Sequence, residues 1–423
     1  MTSSRSTVPA AREGVEHGDV TGRGGCPVLF DHDRGMWSIS DPAMVRAVLQ
    51  QPDVFGPHNS LTAYRALTVR SLRTLNRVGF ALPAVLANNA GPTHRRIRGC
   101  VAHFLGAGRV DALQDTVMAL VRAQLPALGG ALAGGRPADL VELIAGPVPA
   151  LTLLRLFGIA GPPIGTLKQW SRDSLELFWG APDPDRQEVL ASQAADFYDW
   201  LRGLVAVERR TPGDGLLGAL IGLGLTDEQV CSACYFLLIA GQETTTQLIS
   251  TMFQRALVEP PRWAGCADPD VVDDLVENTL TTDSPVPTWR RVVRRPVRLG
   301  GHDLDVGAEV LLRLTGIGGD ASLAFGVGVH RCLGERLATA EARIVVRETA
   351  SAFPGLRSAC ADPPMIDLLS FRAPAQVWAV HRPDRVDRSA GSVHPAGDTG
   401  VGGCPGRAEP ITRTRLDAST RRR

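Results

Sequence analysis

Phe325-Gly326-Val327-Gly328-Val329-His330-Arg331-Cys332-Leu333-Gly334 is the stretch on which the fold of this chain turns. Three glycines stand within ten residues beside a cysteine, and an apolar segment follows. Its spacing predicts a helix over about Glu335–Ala352 with Leu337, Ala338, Ile344 and Val345 facing inward. A cysteine at a helix start sits at the positive end of the helix dipole, which favours thiolate. Glycines allow the backbone to turn tightly, so amide N–H groups can point at the sulfur and tune a metal bound to it. Phe325 can shield one side of the loop. A cysteine taken alone is more often a buried structural residue; the glycine spacing is what sets Cys332 apart.

Upstream, Ala240-Gly241-Gln242-Glu243-Thr244-Thr245 lies inside the longest apolar pattern of the chain. Thr226 and Gln229 form a capping box for that helix, Asp227 and Glu228 suit its positive end, and Pro260 and Pro261 stop it after about Val258. Gly241 costs about 1 kcal/mol against alanine in a helix interior, so room or a local kink is expected there. Glu243 and Thr244 put an acid next to an alcohol. Further upstream, His94 and Arg98 at i and i+4 share a helix face beside Arg95 and Arg96. Downstream, Ser284-Pro285-Val286 is followed by Arg291. Cys231 and Cys234 have redox or metal spacing, but they lie mid-helix without a second pair and read as core.

The composition excludes several classes. The chain has 423 residues, 44% hydrophobic, with a net charge of +1, which gives no case for nucleic acid. Lys168 is its only lysine. Met1–Gly25 is polar and lacks the apolar core of a signal peptide, and no stretch reaches the 18 or so apolar residues of a membrane span, so a soluble, cytoplasmic protein without membrane contact is expected. Eight cysteines scattered over such a chain argue against a disulfide framework. Residues 1–25 and 381–423 read as disordered tails, with one segment, 26–380, between them and no internal repeat. Helical spacing marks Asp41–Gln50, about Val110–Leu128 and 187–208; strand-like pieces are Trp37–Ser40, Val292–Leu299, Glu309–Leu314 and Val377–Val380. The fold class is mainly α with a small β part.

The Phe325–Gly334 string resembles the haem-binding loop of the cytochrome P450 superfamily, Phe-x-x-Gly-x-(His/Arg)-x-Cys-x-Gly, and matches it throughout. The resemblance implies a single helical fold over 26–380 enclosing haem b, with Cys332 as the axial iron ligand and Phe325 and Gly328 in the cofactor loop. Ala240–Thr245 is similar to the string that lies over the haem, so Ala240 and Gly241 would border the cofactor while Thr244 and Glu243 help deliver protons to dioxygen. His94, Arg98, Arg291 and His330 match positions that bind the haem propionates. Residues 56–88, with Tyr64 and Phe80, would roof an apolar substrate pocket, and Phe178-Trp179-Gly180 resembles a segment common in bacterial members. The implied activity is that of a soluble monooxygenase of secondary metabolism. It would hydroxylate or epoxidise a small organic substrate with electrons from a ferredoxin-type partner. The competing reading is a non-catalytic relative that assists another enzyme; keeping Cys332, His94, Arg98, Arg291 and Thr244 favours the enzyme.

Two departures from the family pattern stand out. Asn278 and Thr281 occupy the positions of a Glu-x-x-Arg pair, and only eleven residues separate Arg313 from Phe325, so the segment that carries a third, arginine partner is missing. Removing one member of a buried ionic triad leaves an uncompensated charge and costs about 3–5 kcal/mol, whereas losing all members together can be neutral.

Overall fold

The longest helix starts at Thr226, where the capping box places it. In the computed structural model, which describes residues 27–316 and 323–381, the Gln229 amide donates to the Thr226 hydroxyl at 3.3 Å and the Thr226 amide to the Gln229 side chain at 3.0 Å. The helices are α1 (Pro42–Leu49), α2 (Val69–Arg77), α3 (His94–Phe104), α4 (Ala107–Ala112), α5 (Gln114–Leu132), α6 (Pro147–Phe157), α7 (Ile164–Trp179), α8 (Pro184–Arg210), α9 (Leu216–Gly222), α10 (Asp227–Leu257), α11 (Pro260–Gly265), α12 (Pro269–Thr282) and α13 (Glu335–Ala352). The strands are β1 (Val28–Asp31), β2 (Met36–Ile39), β3 (Phe55–Gly56), β4 (Ala138–Asp139), β5 (Thr288–Val293), β6 (Val297–Leu299), β7 (His302–Leu304), β8 (Glu309–Arg313), β9 (Leu356–Ser358), β10 (Met365–Asp367), β11 (Arg372–Pro374) and β12 (Trp378–His381). The mainly helical class with a small β part holds.

α10 is the axis of the molecule. Its first half puts Val230, Tyr235 and Leu238 into a core shared with α6, α7 and α8. Its second half puts Leu248, Ile249, Met252 and Phe253 into another core, shared with α5, α12 and α13. Each such side chain, fully buried, contributes roughly 1.5–3 kcal/mol. Between the two halves, Gln242, Glu243, Thr245, Thr246 and Gln247 are buried polar residues. Polar groups are tolerated at such depth only when partnered, so this is where structure departs from simple packing.

The main sheet runs β1-β2-β8-β5-β3, with β2 and β8 parallel and the other pairs antiparallel. β5 pairs Arg291 with Val310 of β8. Since strand side chains alternate, Trp289 and Arg291 share one face of β5. A three-stranded sheet, β4-β12-β9, and the hairpins β6–β7 and β10–β11 complete the β part.

Several boundaries differ from those the sequence predicts. The strand expected over Val292–Leu299 is two strands, β5 and β6, interrupted around Pro296, which has no N–H for a ladder. The helix expected over Val110–Leu128 divides at Leu113 into α4 and α5, and α5 continues past Pro126 to Leu132. His381 closes β12 by pairing with Leu356 and does not begin the tail. The remaining tail residues, 1–25 and 382–423, lie outside the described residues. Among the described residues one helical stretch, Gln114–Gly135, is long and apolar enough to cross a membrane, contrary to the sequence reading. Val117, Leu120, Val121, Leu128 and Leu132 of this stretch are buried in the core that α13 shares. Cys100, Cys231, Cys234, Cys266 and Cys332 are free thiols, while Cys360 is disulfide-bonded.

Candidate active site

The Cys332 loop and the middle of α10 border one cavity of about 270 Å³. The loop is shaped by Gly326 and Gly328, both at positive φ (64° and 77°). At Gly328 a Cβ would also sit 3.0 Å from the Leu49 carbonyl at the end of α1, so glycine is required twice over. The chain then returns, the Cys332 amide donating to the Phe325 carbonyl at 2.9 Å, and α13 begins at Glu335. The sulfur is accessible because it borders the cavity, yet it is surrounded by protein. Burial raises the Cys332 pKa, while the amides of Gly334 and Glu335 and the charge of Arg98 act in the opposite direction. Phe325 and Gly326 line the cavity beside it.

Four nitrogen-bearing side chains converge on the same cavity: His94 and Arg98 from α3, Arg291 from β5, and His330 from the loop. The α3 face is amphipathic, with His94, Ile97 and Val101 buried while Arg95 and Arg96 are exposed. The His94 and His330 rings lie 4.7 Å apart. His330 shares a hydrogen bond of 2.8 Å between its Nε2 and the Asn89 carbonyl, which leaves Nδ1 buried without a partner; Nε2 of His94 is likewise buried and unpartnered. Burial lowers the pKa of Arg291 to about 10 and of His330 to about 4, the latter further depressed by Arg291, His94 and Arg98. Burial also lowers His94 and Arg98. Among the described residues no carboxylate lines the cavity. A buried cation such as Arg291 is costly without a counter-ion, and a ligand carrying carboxylates would compensate it, pair with Arg98 and meet the unpartnered ring nitrogens of His94 and His330. Haem, with two propionates, fits these residues, with the sulfur of Cys332 in the same cavity.

On α10, Ala240, Gly241 and Thr244 line the cavity. The Thr244 hydroxyl donates to the Ala240 carbonyl at 2.6 Å. The helix passes Gly241 unbroken, and the expected room is filled by α6: a Cβ there would meet Leu153 at 2.9 Å. Glu243 is placed differently from expectation. Neighbouring helix residues point about 100° apart, so Glu243 turns away from the cavity and forms an ion pair with Lys168 of α7. Lys168 also donates to Thr246 Oγ1 at 2.9 Å, Thr246 donates to the Ala145 carbonyl at 3.1 Å, and Gln242 donates to Ser171 Oγ at 2.8 Å. These bonds account for much of the buried polar segment of α10. Burial lowers the Lys168 pKa to about 8, with Glu243 raising it in part. The reading of Cys231 and Cys234 as core agrees with the structure: both are fully buried, and burial pushes Cys231 up to about 12.

The apolar wall contains residues that the sequence reading did not single out for the pocket. Trp179 and Phe178 at the end of α7, Trp289 on β5 and Phe371 before β11 line it, as do Leu61, Leu82 and Leu86 from the 56–88 stretch. Phe80 and Tyr64 do not; Phe80 packs on Phe178, Tyr198 and Tyr235, and Tyr64 carries Arg65 over its ring. The repeated aromatic signal Phe178-Trp179 was the one clue available.

The departures from the family pattern also have a structural counterpart. Asn278 is exposed on α12, and Arg255, from the end of α10, donates to Asn278, to Thr282 Oγ1 and to Asp283. A single arginine thus bridges α10 and α12, and no buried ionic triad is present there among the described residues.

No protein-family model matches the chain. It is 32% identical over 291 residues to the cytochrome P450 monooxygenase PikC of Streptomyces venezuelae, covering 63% of this chain and 68% of that protein. It is 30% identical over 356 residues to pentalenic acid synthase of Streptomyces avermitilis, covering 78% and 84%. Among solved structures, cytochrome P450 CREJ in complex with (4-ethylphenyl) dihydrogen phosphate superposes with a TM-score of 0.78 at 26% identity, covering 84% of this chain and 94% of that one. With the cysteine loop, the cationic cluster and the central helix around one cavity, these matches establish that the chain belongs to the cytochrome P450 family of oxidoreductases.

Proposed function

We propose that this chain is a haem-thiolate monooxygenase, residues 26–380 forming the haem domain, with Cys332 as the iron ligand. The observation that carries this is the convergence of His94, Arg98, Arg291 and His330, without a carboxylate among the described residues, on the cavity that Cys332 borders. Haem iron held by the Cys332 thiolate would supply dioxygen activation. The chain's own residues do the rest. The four nitrogen-bearing side chains hold the two propionates. Phe325, Ala240 and Gly241 would border the cofactor, whereas Gly328, which packs on the Leu49 carbonyl and does not line the cavity, would turn the loop that carries Cys332. Thr244 Oγ1, bonded at rest to the Ala240 carbonyl, passes a proton at the cavity wall. Glu243, on the next face of α10, stays ion-paired with Lys168 and does not line the cavity. Phe178, Trp179 and the leucines of the 56–88 stretch keep water from the reacting centre. Relatives named pentalenic acid synthase and erythromycin C-12 hydroxylase support a small organic substrate of secondary metabolism. Electrons come from a ferredoxin-type donor, and the enzyme works in the cytoplasm.

The test is reduction by that donor. Under carbon monoxide without oxygen, a reduced bacterial ferredoxin should convert the ferric protein to its carbonyl form. With labelled dioxygen and a turned-over substrate, one labelled oxygen should appear in the product. Reduction by dithionite but not by ferredoxins would remove the electron-donor assignment, and product without label would remove the monooxygenase assignment.

A further inference from the structure

Three aromatic rings meet in the cavity beyond Arg291. Trp289 stands two residues before it on the same face of β5, roughly 7 Å along the strand. Phe371 lies edge-on to both indoles: 5.1 Å from Trp179 at 87° and 6.3 Å from Trp289 at 88°. The two indoles are 6.2 Å apart and inclined by 31°. The array is drawn from three separate elements, yet hydrogen bonds to backbone carbonyls hold it. The Leu369 amide donates to the Trp179 carbonyl at 2.9 Å, the Thr288 hydroxyl to the Leu369 carbonyl at 2.7 Å, and the Arg372 amide to the Pro285 carbonyl at 3.1 Å. Only 5% of the chain is aromatic, so this concentration is selective.

The hydroxyl groups of the same region are already engaged. The Tyr235 hydroxyl shares a 2.6 Å hydrogen bond with Ser174, and Thr244 and Thr245 donate to helix carbonyls. Ser284 Oγ accepts from the Val286 amide at 3.4 Å. Among the described residues no carboxylate lines the cavity to meet a cationic ligand. Its cations sit with the histidines around the Cys332 loop, and Arg331 is paired with Glu335. A charged ligand placed against the aromatic array would therefore be desolvated without a partner, whereas a flat ring system can add edge and face contacts to a preformed array.

We propose that the substrate is a neutral, planar aromatic compound, seated against Trp179, Trp289 and Phe371. This rests on the reading of the cavity as the haem and substrate site of a monooxygenase. The aromatic array is the specificity-determining feature, selecting ring planarity, and the absence of a counter-ion selects neutrality.

The experiment is calorimetric binding at neutral pH to the purified, haem-loaded full chain. The probes are 2-naphthol, its saturated counterpart decahydro-2-naphthol and the anion 2-naphthoate, against wild type, Trp289→Leu and Phe371→Leu. 2-Naphthol should bind at least about fivefold tighter than the saturated alcohol and tighter than the anion. Either substitution should bring the aromatic-to-saturated ratio close to one, while the carbonyl spectrum of the variants stays that of the wild type. Equal or tighter binding of the saturated alcohol, tightest binding of the anion, no binding of any probe, or a ratio unchanged in both variants would overturn the proposal. Calorimetry does not depend on iron chemistry, so the two readings fail separately. Aromatic preference without a thiolate-type carbonyl spectrum removes the monooxygenase, and the spectrum without the preference removes the substrate class.

Discussion

Lys168, the chain's one lysine, is ion-paired with Glu243 inside the protein, behind the face of α10 that borders the cavity. Both groups are almost wholly removed from solvent, and burial already lowers the lysine to about 8. Breaking a buried pair leaves one uncompensated charge, which costs about 3–5 kcal/mol. Lys168→Met should destabilise by that order, and Lys168→Met with Glu243→Gln should recover at least half of the loss. Guanidinium unfolding of the four proteins of this cycle checks it; additive losses would show that the pair is not coupled.

Glu341, on α13, gives stability a pH dependence. Burial raises its pKa to about 8, with a hydrogen bond from Thr152 acting in the opposite direction. The unfolded carboxyl titrates near 4.5, so between there and about 8 the native state holds a proton that the unfolded state has lost. The contribution is therefore fully present below pH 4.5 and is lost as pH rises through 8. Glu341→Gln should raise the melting temperature relative to wild type at pH 8.5 by several degrees more than at pH 5.5. A difference independent of pH would contradict the assignment.

Gly328 and Gly326 separate two costs of a side chain in the cysteine loop. Both have positive φ, but only at Gly328 does a Cβ press on a backbone carbonyl, that of Leu49. Gly326→Ala should cost about 1 kcal/mol, the backbone term alone. Gly328→Ala should cost about 2–3 kcal/mol and lower the haem content of the purified protein. Denaturation and the ratio of Soret to protein absorbance measure both.

Arg291 separates holding the cofactor from holding the fold. It is buried, hydrogen-bonded to the Arg290 carbonyl at 2.8 Å, and has no carboxylate partner among the described residues. Arg291→Leu should leave the haem-free protein as stable as wild type or more so, since a buried unpaired cation is removed. It should speed haem transfer to apomyoglobin by about tenfold, the loss of one charge-assisted contact. A destabilised haem-free protein with unchanged haem transfer would assign Arg291 to the fold.

What was legible in the sequence was local. The Thr226–Gln229 box and the Glu335–Ala352 helix depend on residues within a few positions of one another, and the structure places them where their spacing predicts. The i, i+4 pair of His94 and Arg98 likewise fell on one cavity-facing side of α3. Relationships across the chain were not legible. Glu243 and Thr244 look like partners because they are adjacent, yet one helical step sends them to different neighbours, and nothing near Lys168 in sequence announces Glu243. The ring array of Trp179, Trp289 and Phe371 depends on α7, β5 and the β10–β11 hairpin meeting, so no spacing rule could find it. The bridge from Arg255 to Asn278 joins helices whose sequence shows only that a family pattern is absent.

In the proposed enzyme the sulfur of Cys332 ligates the haem iron. The carbon monoxide difference spectrum of the dithionite-reduced protein tests it most directly. The expected result is a strongly red-shifted Soret band in the wild type that is lost in Cys332→Ala. A wild-type band at the position of histidine-ligated haem, a band that survives Cys332→Ala, or purified protein without haem despite a supplied haem precursor would contradict it.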